Sequence, residues 1–389
     1  MREKAPAYLA GAAAATSTVS IAASQILLGA AIVSLFLNRE KLRWPPVTLP
    51  ILLFMGWTLV SLAASPDPRG GMPQVKKFYE YAMLFTVFSA IRTMQQVRWV
   101  ILGIVTGATV SAVWALGQFV RIYQNTPDLF YYVYSNGERV KGFMSHWMTF
   151  SGITMMAIIL ALALVLFLRP SWQLFAALGA MGLGLLASYQ RTMWAGTAVG
   201  AMWLLWSRKK ALVALVPVAA VIVLASSPLL RDRVLSVFRP QQNVVDSTAH
   251  RAALRATGWE MIKAHPLVGV GPEQVKVRFG DYAPPSIPRP FPTEWSIGHL
   301  HNVYIQYAAE RGVPALAFLL WFLLRALYDF ARARRASPWI FQAAIATILA
   351  MMVAGLAEHN LNDSEPLGVF LAIIACAYAA RECSRLSAP

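Results

Sequence analysis

Met155-Met156-Ala157-Ile158-Ile159-Leu160-Ala161-Leu162-Ala163-Leu164-Val165-Leu166-Phe167-Leu168 contains no polar or charged side chain. Ile51–Leu62, Leu212–Ala225 and Ala343–Leu356 hold no ionisable residue either. A helix that crosses a bilayer needs about 20 predominantly apolar residues. The chain has room for ten or more. A transmembrane barrel would alternate polar and apolar residues along each strand, and these runs are unbroken. Composition agrees: 57% of the 389 residues are hydrophobic and 13% are charged, whereas soluble domains carry roughly 25% charged residues. These features exclude an ordinary soluble domain and define an all-α polytopic membrane protein.

Spans are expected near 7–23, 24–37, 47–64, 76–91, 99–120, 147–168, 171–188, 191–206, 211–226, 313–330, 339–357 and 367–381. That makes about 12. The first two form one apolar stretch, with Ser24 or Gly29 as the expected break. Positively charged residues collect in loops on the cytoplasmic side of membrane proteins. With twelve spans, one side gathers Arg39, Lys41 and Arg43, then Arg208, Lys209 and Lys210, then Arg332, Arg334 and Arg335. That side reads as cytoplasmic, and both termini fall on it. The N-terminus reads as an uncleaved first span. Cys376 and Cys383 lie seven apart, about 10 Å along a helix, which is too far for a disulfide.

The chain therefore divides into residues 1–226 with nine spans, a large outer loop at 227–312, and residues 313–389 with three more. The loop is rich in proline and polar residues, and a loop of that length is more often functional than connective. Arg121–His146 and Glu358–Pro366 are the other outer segments. Orientation does not explain outer cations, yet about half of the 34 Lys and Arg fall outside. They form a headgroup-facing rim or attract an anionic partner. Arg191 stands out, in Ser188-Tyr189-Gln190-Arg191-Thr192-Met193-Trp194, a short polar break between two spans. It either snorkels between interfacial aromatics or binds an anion, since a guanidinium forks onto phosphate oxygens.

In the large loop, Leu254, Gly258, Met261 and Ile262 fit an amphipathic helix stopped by Pro266. Arg251 and Arg255 share one of its faces. Two like charges there call for an anion, nearby carboxylates or a membrane surface. Further on, His299-Leu300-His301-Asn302-Val303-Tyr304 opens a segment read as helical up to Gly312. Histidines two apart lie on different faces of a helix and no carboxylate cluster accompanies them. No metal is therefore expected. A single histidine can take a hydroxyl proton near neutral pH without one.

The run His301-Asn302-x7-Glu310-x-Gly312, preceded by Arg251 and by His265-Pro266-Leu267-Val268-Gly269-Val270-Gly271, resembles the signature of the O-antigen ligase and polymerase superfamily. Gly142-Phe143-Met144-Ser145-His146 resembles an upstream segment of the same family. The motifs cover roughly residues 185–315. Four residues after Arg251, where the family usually has Trp, this chain has Arg255. The resemblance implies a GT-C-like glycosyltransferase in a bacterial inner membrane. Its large periplasmic loop would contain short helices. It would take a glycan from undecaprenyl pyrophosphate and attach it to a sugar of lipid A–core oligosaccharide, without metal or cofactor and with inversion. The absence of an Asp-x-Asp motif outside the spans is in keeping with that.

On this reading Arg191 and Arg251, with Arg255, hold the pyrophosphate, and His301 is the general base or orients the acceptor hydroxyl. His146, His299, Asn302 and Glu310 are further candidates. Membrane lipids are the other expected partner, and no nucleic acid is. An O-antigen polymerase shares the donor chemistry. A lipid-linked glycan transporter or flippase is the rival of another class, but transporters usually carry ionisable residues at mid-membrane, and these spans are nearly uncharged. A scaffold within a glycan-assembly complex is the third alternative.

Overall fold

The computed structural model describes residues 5–125, 139–235, 247–292, 295, 297–335 and 337–386. Among them every regular element is a helix. The first half holds α1 (Ala5–Thr16), α2 (Ile21–Leu37), α3 (Thr48–Ala63), α4 (Pro68–Lys76), α5 (Ala82–Ala90), α6 (Met94–Asn125), α7 (Trp147–Phe167), α8 (Trp172–Ala187) and α9 (Arg191–Arg208). After them come α10 (Leu215–Ser226), α11 (Pro228–Leu235), α12 (Ser247–Ala264), α13 (Val275–Tyr282) and α14 (Val303–Arg311). The chain closes with α15 (Val313–Ala333), α16 (Pro338–Ala354) and α17 (Ser364–Leu386).

Four of these helices, α6, α7, α15 and α17, are long and apolar enough to cross a bilayer. Residues 210–226 and α11 form a fifth candidate, bent by 115°. The helices α2, α3, α8 and α16 are apolar but shorter. The break between the first two helices lies at residues 17–20, ahead of the expected Ser24 or Gly29. Ser20 caps α2 by accepting from Ala23 N, and Ser24 sits inside the helix, donating to Ala13 O at 2.8 Å. A serine hydroxyl that bonds a neighbouring helix needs no break in its own. The expected span at 76–91 is also not one helix. Lys77–Tyr81 winds as a 3₁₀ turn before α5.

Helix α7 is apolar on every face, so it belongs in the interior, and most of its residues, including all of Thr149–Ala161, are buried. Helix α17 is buried along Val369–Ala380 in the same way. Helix α9 lies against α16 and α7. Gly196 and Gly200, four apart, make that approach possible. A Cβ on Gly196 would lie 2.9 Å from Ala350 O, and one on Gly200 3.3 Å from Ala346 O. Small residues at this spacing let helix backbones close up where no hydrophobic force favours it. This packing fixes the N-terminus of α9, which carries Arg191.

A smaller cluster, including Leu254, Met261, Phe279 and Leu300, is the core of the large loop. The glycines of His265–Gly271 dock that loop onto the end of α14. Val270 N donates to Ala309 O at 2.8 Å and Gly271 N to Glu310 O at 3.0 Å. Val313 N returns a bond to Pro266 O at 2.8 Å. Gly312 has φ +82° and packs on Leu267 O, where any Cβ would collide. Arg311 is buried below this contact, donating to Gln74 Oε1 at 2.6 Å and lying over the Phe54 and Tyr307 rings.

Candidate active site

Asn302 builds the local geometry. Its side-chain oxygen accepts from Tyr304 N and Ile305 N at 3.0 and 2.9 Å and caps α14. Asparagine favours that position because its oxygen meets otherwise unpaired amides. Its amide nitrogen donates to Leu356 O at 2.8 Å, and Val303 N donates to Gly355 O at 2.8 Å. The loop before α14 is thereby stitched to the chain leaving α16. His301 takes the left-handed backbone region, φ +46°, which is uncommon for a residue other than glycine and is found at functional sites.

This stitching corrects one expectation. His299 and His301 precede α14 rather than lying within it, so helix spacing does not separate them. A capping asparagine ends the loop ahead of the helix, and the two rings meet with centroids 4.2 Å apart. A carboxylate does accompany them. Glu358 is buried, and its Oε2 lies 3.3 Å from His301 Nδ1. Its Oε1 accepts from Gln190 Nε2 at 2.6 Å and from Arg251 Nη2. Even so, no group of three His, Cys, Asp or Glu among the described residues is arranged to hold a metal ion.

Glu358 thus joins three segments: Gln190 at the start of α9, Arg251 on α12 and His301 ahead of α14. Burial alone would raise its pKa, but the Arg251 charge and the His301 contact prevail and hold it at about 2. It is ionised near neutral pH. An ionised carboxylate only accepts hydrogen bonds, so His301 Nδ1 is the donor to Glu358, and in the neutral imidazole that bond leaves the lone pair on Nε2. Burial lowers the pKa of His299 to about 4 and lowers that of His146.

Arg191 is the residue after Gln190 and opens α9, with Nη1 donating to Arg233 O at 2.9 Å. Arg255 lies one turn beyond Arg251, is exposed, and reaches no carboxylate among the described residues. His146 caps α7, accepting from Met148 N at 3.2 Å. Glu310 is buried, and its Oε1 accepts from Glu273 N at 2.6 Å. Burial raises its pKa although Arg311 opposes the rise. Glu310 therefore braces the loop while lining a cavity of about 450 Å³ that adjoins Glu358.

Glu358 and His359 were not among the sequence candidates. The signal was present in Glu358-His359-Asn360-Leu361-Asn362-Asp363-Ser364-Glu365, a dense polar run between two apolar helices. Glu358–Pro366 reads in the sequence as an outer segment, but none of its residues is singled out there, because nothing local ties Glu358 to His301.

Residues 175–320 match the family model described as O-antigen ligase, and this supports placing the chain in the O-antigen ligase family. The matched region contains Arg191, Arg251, Arg255, His301 and Glu310, and it ends before Glu358. No curated protein matches the chain. The long apolar helices agree with a membrane protein of that family.

Proposed function

We propose that this chain is an O-antigen ligase. It transfers a glycan from undecaprenyl pyrophosphate to a sugar hydroxyl of lipid A–core oligosaccharide at the periplasmic face of a bacterial inner membrane. The observation that carries this reading is the convergence of Arg251, His301 and Gln190, the residue before Arg191, on buried Glu358.

The donor already carries a good leaving group. As the bond from the anomeric carbon to the pyrophosphate oxygen breaks, negative charge grows on the phosphates. Arg191 and the N–H groups of Arg251 not bound to Glu358 stabilise that charge, with exposed Arg255 at the rim. Contacts that strengthen as the charge develops lower the barrier selectively. The acceptor oxygen attacks the anomeric carbon from the opposite side and inverts it. Its proton passes to Nε2 of His301, while Glu358 holds Nδ1 and stabilises the resulting imidazolium. His301 also orients the hydroxyl by accepting its hydrogen bond before transfer.

The same reading makes the chain a GT-C-like protein of about twelve spans with cytoplasmic termini. Residues 1–226 and 313–389 are its membrane parts, and residues 227–312 its periplasmic loop. Purified protein in detergent, given lipid-linked glycan and lipid A–core, is expected to form ligated product. Transfer only to a growing glycan would make it a polymerase. No transfer to either acceptor would contradict an enzymatic role.

A further inference from the structure

The cavity next to Glu358 differs in charge from the arginine cluster. Glu273, Glu310, Asp363 and Glu365 line it, with Glu358 in its wall. Lys77 is the one Lys or Arg among its described lining residues, and its Nζ is tied to Asn362 O at 2.9 Å. His146, His299 and His359 also line it, and burial lowers the pKa of all three, favouring their neutral forms. His359 is 6% exposed, and its buried Nδ1 has no hydrogen-bond partner among the described residues.

We propose that this cavity is the acceptor subsite and that it takes a sugar end bearing free hydroxyl groups and no phosphate. The inference rests on the ligase reading above. Its volume of about 450 Å³ lies within the usual range for small-ligand sites. Ionised carboxylates only accept hydrogen bonds; Glu358 and Glu273, both held below the usual carboxylate range by cationic and hydrogen-bonding partners, suit the O–H donors of a sugar. The same wall repels phosphate, which excludes the donor's pyrophosphate and directs it to the arginines. Discrimination by like-charge repulsion is a common route to specificity. Phosphates elsewhere on an acceptor are free to meet the basic outer rim.

The test is equilibrium binding to the purified full chain. The probes are a synthetic neutral hexose trisaccharide and the same trisaccharide with a phosphate monoester on its non-reducing sugar. The neutral probe is expected to bind at least about tenfold more tightly. In the double variant Asp363→Asn, Glu365→Gln that ratio should shrink toward one. Equal or tighter binding of the phosphorylated probe, or no binding of the neutral one, would overturn the proposal. If the double variant does not fold, the two affinities of the unaltered protein still decide. Binding does not depend on turnover. Selective binding without any glycan transfer would therefore refute the ligase reading and leave the cavity's preference standing.

Discussion

Glu358 holds a guanidinium and an imidazole at once, so its loss is felt twice. Removing one partner from a buried charge pair typically costs about 3–5 kcal/mol. Glu358→Ala should therefore lower the melting temperature and also abolish transfer, because His301 loses its fixed tautomer. Stability should depend on pH with a definite sign. The folded pKa of Glu358, about 2, lies below the usual carboxylate range. Its contribution is complete above that range and is lost as pH falls toward 2. A melting curve followed between pH 5 and pH 2 should show this loss in the unaltered protein and not in Glu358→Gln. His301→Asn separates chemistry from fold. Asparagine tolerates left-handed backbone, so the protein should stay folded while transfer falls about 10²–10⁴-fold. Arg191→Lys keeps the charge but loses the fork, and poor rescue in the same assay is expected.

The elements around the site show what could be read from sequence. Arg191, Arg251 and His301 stand out in the sequence because they lie in polar breaks or short motifs against an apolar background, and the structure brings Arg251 and His301 together on Glu358. Helix ends such as α7 and α8 followed from the same contrast. The first break was misplaced because Ser24 satisfies its hydroxyl across helices, which composition cannot reveal. The histidine loop was mistaken for helix because Asn302 acts as the cap, a role fixed by a tertiary bond to Leu356 O. Glu358 lies 57 positions from His301, and no local pattern joins them. Asn302→Ala tests this element directly. Loss of the cap should cost about 1 kcal/mol, and transfer should fall further than stability does because His301 is no longer held to the chain after α16.

At the scale of the molecule, four described helices are long and apolar enough to cross a bilayer, five if the bent pair at 210–235 is one span, while the proposed topology needs about twelve. The difference lies in helices such as α2, α3, α8 and α16, which are apolar yet shorter than a bilayer is thick. Single cysteines at positions 209 and 263, in a chain with Cys376 and Cys383 replaced, distinguish the arrangements. A membrane-impermeant thiol reagent should label position 263 in intact spheroplasts, and position 209 only after the membrane is opened. Labelling in the reverse order would turn the large loop toward the cytosol. The most direct measurement is a structure of the protein with undecaprenyl pyrophosphate bound. Phosphate oxygens about 3 Å from the Arg191 and Arg251 guanidinium groups, with His301 Nε2 facing the open cavity, is the predicted result. A diphosphate seated among Asp363 and Glu365, away from both arginines, would contradict the account.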